Sequence, residues 1–97
     1  MGAVVGVCVI KLSVDGSMSL KDKRRYTNSI KDKIKNRFNV AIAETDDLDK
    51  LRSAEITLCA VSNAEANVSA QLEKIVDFIE NLGILRIMDV RMEFIHL

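Results

Sequence analysis

The sequence predicts an α+β sandwich over residues 1–97, one domain in which a four-stranded antiparallel sheet carries two helices on one face. Three observations lead there. Four segments are rich in β-branched residues or alternate in polarity. Two longer segments repeat apolar residues at helical spacing, each behind a serine with an acid three residues on. The hydrophobic share, 48%, supplies one core, and no proline or low-complexity linker divides the 97 residues.

The elements follow in order. Val4 to Leu12 is a continuous apolar run and reads as a central strand, with Cys8, Ile10 and Leu12 toward the core and Lys11 and Ser13 on the other parity. Asp15-Gly16-Ser17 is a turn signal. Ser19 caps a helix expected from about Leu20 to Arg37, with Asp22 completing the box. Thr27, Ile30 and Ile34 form its inner face, with Leu20 and Phe38 at the ends. Asn39 to Thr45 is a short strand, 46–49 a polar connection, and Glu55 to Val61 a third strand with Ile56, Leu58 and Ala60 on one face.

Ser62-Asn63-Ala64-Glu65 reads as a second capping box with Ser62 as the cap. Val68, Leu72, Ile75, Val76 and Ile79 follow at helical spacing, and Gly83 is the stop. In the last strand, Ile84 to Leu97, Met88, Val90, Met92 and Phe94 alternate with Asp89, Arg91 and Glu93. The order strand–helix–strand–strand–helix–strand, with right-handed crossovers, gives the ferredoxin-like βαββαβ sandwich of strand order 4-1-3-2. On these parities Cys8 and Cys59 point to opposite faces.

Composition excludes several classes. Fourteen basic residues balance fourteen acidic ones, so the chain is neither a globally basic coat nor an acidic disordered tail. The apolar stretch from Met1 to Leu12 is too short for a membrane span, and with Lys11 and no basic leader it does not read as a signal peptide. Cys8 and Cys59, far apart and without a CxxC, read as reduced cysteines of a cytoplasmic protein. Gly2, Gly6, Gly16 and Gly83 form no phosphate-binding motif. His96 is the single histidine, which leaves no partner for a triad or a metal cluster. Glu44, Asp46, Asp47 and Asp49 lack the glycine and terminal glutamate of a calcium loop and read as a solvated acidic loop. The expectation is a non-enzymatic protein with no cofactor, no metal and no membrane partner.

The neutral total hides a polarised chain. Lys21, Lys23, Arg24, Arg25, Lys31, Lys33, Lys35 and Arg37 face only Asp22 and Asp32, so the first helix carries +6 and the remainder −6. At 100° per residue Arg24, Asn28, Lys31 and Lys35 line one stripe, with Lys21 and Arg25 beside it. Cations in the first turns oppose the macrodipole at about 0.3–1 kcal/mol each. That arrangement favours an external anion, and Ser17 and Ser19 are expected to add hydroxyl donors at the helix N-terminus.

The expected partner is RNA or a ribosomal particle, met through Lys21, Arg24, Arg25, Lys31 and Lys35. RNA-recognition motifs of this topology stack bases on aromatics of the central strands. Here the aromatics are Tyr26, Phe38, Phe78 and Phe94, none of them in those strands. Contact through backbone and shape is therefore expected.

The face away from the helices should show Val5, Val7, Val9, Cys59 and Val61, joined by Ile87 and Ile95, with Lys11, Asp89, Arg91 and Glu93 around them. An apolar patch with a polar rim marks a contact surface. The alternative function is thus a homodimeric protein-interaction or ligand-sensing module using this open face, with Val5, Val7, Val9 and Val61 as the interface, or the edge of the fourth strand.

Three runs carry a resemblance: Ser19-Leu20-Lys21-Asp22-Lys23-Arg24-Arg25, then Asn36-Arg37-Phe38-Asn39-Val40-Ala41-Ile42-Ala43-Glu44, then Ala60-Val61-Ser62-Asn63. In that order they resemble the YlxP-like family of small bacterial proteins of unknown function. The resemblance implies the ferredoxin-like fold and an association with genes for translation-initiation and ribosome-maturation factors. It implies no catalytic residue. The chain departs from the family where Asp49-Lys50-Leu51-Arg52 lacks the usual tryptophan.

Overall fold

In the computed structural model, which describes residues 2–97, six elements follow in the expected order. They are β1 (Val4–Ser13), α1 (Leu20–Arg37), β2 (Ala41–Asp46), β3 (Ser53–Ser62), α2 (Glu65–Leu82) and β4 (Arg86–His96). The sheet order is β2-β3-β1-β4, all neighbours antiparallel. Read from the other edge this is the expected 4-1-3-2, and the fold is ferredoxin-like α+β.

Alternation places the core. Val4, Cys8, Ile10 and Leu12 of β1 and Ala54, Ile56, Leu58 and Ala60 of β3 are buried under Ile30 and Ile34 of α1 and Val68, Leu72, Ile75 and Ile79 of α2. Each large aliphatic side chain contributes about 1.5–3 kcal/mol by leaving water. Gly6 lets α2 lie against β1: a Cβ there would sit 2.1 Å from Val68 Cγ1. Gly83 stops α2 in the left-handed region, φ 65°.

Local patterns fail at three points, each for a tertiary reason. Ser62 does not cap α2. It pairs with Val4 at the end of the β3–β1 ladder, and the cap position falls to Ala64, which has no side-chain acceptor. Ile87 does not join the open face. The β1–β4 register shifts between Lys11 and Leu12, so Ile87 opposes Leu12 and packs on the core while Met88 is left exposed. β2 starts at Ala41 rather than Asn39, since its pairing with β3 begins at Ala41 opposite Cys59.

Candidate nucleic-acid interface

α1 begins with Ser19 as its cap, while Asp22 reaches back one residue beyond it. The Asp22 N–H donates to Ser19 Oγ at 3.0 Å, and the Asp22 carboxylate accepts from the Met18 N–H at 3.2 Å. Ser17 is fully buried and its hydroxyl donates to the Ser19 carbonyl at 3.0 Å. Of the two expected anion donors, Ser17 is thus turned inward onto the backbone, while Ser19 Oγ accepts from Asp22 and its own O–H is not used in that bond; Asp22 places a negative charge at the same helix end.

The next residue holds the helix down. Lys23 is 1% exposed, although it belongs to the basic run. Its ammonium donates to the carbonyls of Asp47 and of Ser53, the latter at 3.1 Å, and lies 3.6 Å from the Glu44 carboxylate. Asp47 takes a left-handed backbone, φ 61°, and its buried carboxylate faces Lys50 at 3.1 Å and Lys11 at 3.3 Å. Burial would raise the Asp47 carboxyl pKa, but hydrogen bonds and charge from Lys50 and Lys11 outweigh it and hold it below the usual value.

Glu44 and Asp47 are thus part of a lysine-bridged cluster joining α1 to the β2–β3 connection, not a solvated acidic loop. Glu44 Oε2 and Asp47 Oδ2 are buried, and a lysine ammonium faces each, Lys23 at 3.6 Å and Lys11 at 3.3 Å. The sequence did carry a signal for Lys23: it falls at helical spacing with Thr27, Ile30 and Ile34 on the buried face.

The cluster fixes the outer side of the helix. Lys21, Arg24, Arg25 and Lys35 are exposed and Lys31 is half-buried. Arg25 lies 3.6 Å from Asp22 and stays 73% exposed. Among the described residues no carboxylate pairs with Lys21, Arg24, Lys31 or Lys35. Farther along, Arg37 stacks over the Phe78 ring at 5.0 Å, and Phe78 meets Phe38 edge to face at 5.6 Å between centroids. The two rings therefore join the ends of α1 and α2.

On the opposite side of the molecule the register aligns Val61, Val5 and Ile95 in one row and Ala41, Cys59, Val7 and Glu93 in the next. Ala43, Thr57, Val9 and Arg91 form a third. Val5, Val7 and Val9 are half-buried in the sheet, while Val61 is 66% exposed. Cys8 is buried beneath the helices and Cys59 lies on this face, both as free thiols. Burial pushes the Cys8 pKa up to about 11. No described helix is long and apolar enough to cross a membrane.

Fold and surface together define a small ferredoxin-like domain with an outward basic helix and a bare sheet face. Residues 5–92 match the family model DUF503, described as a protein of unknown function, and the chain belongs to that family. It is 26% identical over 78 residues to the uncharacterized protein YlxP of Bacillus subtilis strain 168, covering 80% of this chain and 85% of that protein. The de novo designed protein Foldit4 shares the fold with a TM-score of 0.59 and 15% identity over 98% of each chain.

Proposed function

We propose that this protein is a cytoplasmic, non-enzymatic factor that binds structured or ribosomal RNA along its phosphate backbone through α1. The observation that carries the reading is the outer flank of α1: Lys21, Arg24, Lys31 and Lys35 without ionic partners among the described residues, and Arg25 only loosely engaged by Asp22. Cations held on a rigid helix meet phosphates with little loss of backbone entropy, and they carry no base-reading code. The central strands offer no ring for stacking, which leaves backbone and shape as the recognised features.

The test is co-sedimentation with ribosomal particles at low salt, using a variant in which Arg24, Arg25, Lys31 and Lys35 are changed to Glu. The wild type should sediment with the particles and the variant should not. Retained binding by the variant overturns the reading.

A second reading is self-association through the sheet, favoured by Val61 and Ile95, which stand 66% and 47% exposed beside Val5. Light scattering on the eluted protein should then give twice the chain mass.

A further inference from the structure

We infer that two copies of this chain join edge to edge through β4, as antiparallel strands about a two-fold axis at Met92, with Arg91 of each copy facing Glu93 of the other. The inference rests on the self-association reading and names its surface.

β4 is an outer strand, hydrogen-bonded only to β1, and it is eleven residues long. Along its free side alternate backbone N–H and C=O groups have no partner strand. Soluble proteins blunt such edges with charged side chains of one sign, lysine above all, with proline, with bulges or with a covering segment, whereas the charges of β4 between Asp89 and Glu93 alternate in sign. β4 contains neither lysine nor proline. Its one irregularity lies at its start, beside Met88. From Asp89 to His96 it pairs without interruption with β1, so it offers a regular edge.

The side chains along that edge are self-complementary. Arg91 and Glu93 lie on the open face, opposite Val9 and Val7 of β1. Neither has an ionic partner among the described residues. A cation and an anion two positions apart on an edge strand form two ion pairs when a two-fold passes through the residue between them. That residue is Met92, next to the midpoint of the regular stretch.

The same register sets Val90 against Phe94 and Met92 against its own copy on the helix side, where all three are half-buried at the edge. An axis at Phe94 would set Glu93 against Ile95 and pair no charges. An axis at Val90 would match Arg91 with Asp89 but carry the ladder across the bulge into Ile87. The axis at Met92 satisfies charge, apolar contact and regular pairing together, and the product is one continuous eight-stranded sheet.

The experiment is size-exclusion chromatography with light scattering on the full chain across micromolar to millimolar concentration, with thermal melts to confirm folding. The wild type should be a dimer. R91E sets Glu against Glu, and E93R sets Arg against Arg; each should weaken the dimer at least about tenfold. The double variant R91E/E93R re-forms both pairs in reverse and should restore it. V61D, on the open face of β3 with β1 between it and the edge strand, should remain dimeric. A wild-type monomer overturns self-association and the edge together. A wild-type dimer that R91E and E93R leave intact, or that V61D splits, overturns the edge while self-association stands.

Discussion

Lys23 shows how one buried cation organises its surroundings. Its ammonium satisfies two backbone carbonyls, of Asp47 and Ser53, and faces the Glu44 carboxylate. Removing one partner of a buried charged group leaves the others unpaired, at about 3–5 kcal/mol. K23M should therefore cost that much in a denaturant titration. K23M/E44M should recover part of it, because the stranded carboxylate is gone while the two carbonyls still lack a donor.

Asp47 gives the acid dependence. Its folded carboxyl pKa is held below the ordinary 3.8 by Lys50 and Lys11 against the opposing effect of burial, so in acid the unfolded chain binds more protons. Its contribution is complete above that value and fades as pH falls below it. Asp15, held low by hydrogen bonds from Ser13 and Arg86, acts in the same direction. Melting temperature measured between pH 5 and pH 2 should fall less steeply in D47N than in the wild type. Asparagine keeps the left-handed backbone at this position, so the variant removes charge without new strain.

At the scale of elements, the two helices differ at their starts. α1 has a serine side chain that accepts from its first turn, whereas α2 starts from Ala64, whose side chain accepts none of its first N–H groups. Ala64 already has an extended cap conformation, φ −143° and ψ 134°. A64S should stabilise the protein by about 1 kcal/mol, read as a rise in the denaturant midpoint at unchanged slope. Packing between elements has a comparable point of sensitivity at Gly6. G6A pushes a methyl group into Val68 and Leu72 and should cost about 1–3 kcal/mol by lifting α2 from β1.

For the whole molecule, charge separation dominates. Apart from the buried Lys23, the basic residues of α1 face outward, while most of the acids lie in the rest of the chain. If five phosphates of a duplex RNA segment are met, log Kd should change with log salt at a slope of about 4–5. Replacing Lys31 alone should lower that slope by a little under one, which filter binding at several salt concentrations resolves. Strand edges provide the second large-scale feature. β4 is long, pairs regularly from Asp89 to His96 and lacks lysine or proline, whereas β2 at the other edge is short and carries a shift between Glu44 and Asp46.

Much of this was legible in residue order, because the signals are local. The bounds of α1 follow from Ser19 and from the spacing of Thr27, Ile30 and Ile34. The faces of β1 and β3 follow from period-two alternation, and the strand order from the sequence of elements with right-handed crossovers. Net charge and the absence of aromatics in the central strands also come from composition alone.

The rest was settled between segments distant in the chain. Ser62 is drawn into a ladder by Val4, so it cannot turn to cap α2. Ile87 reverses sides at a bulge that only pairing with β1 creates. Ser17 is buried and Lys23 leaves the basic face, the latter because carbonyls 24 and 30 residues away need a donor. Periodicity is encoded in neighbours along the chain and so survives in the sequence. Which polar group is desolvated depends on partners that only the folded chain brings within reach.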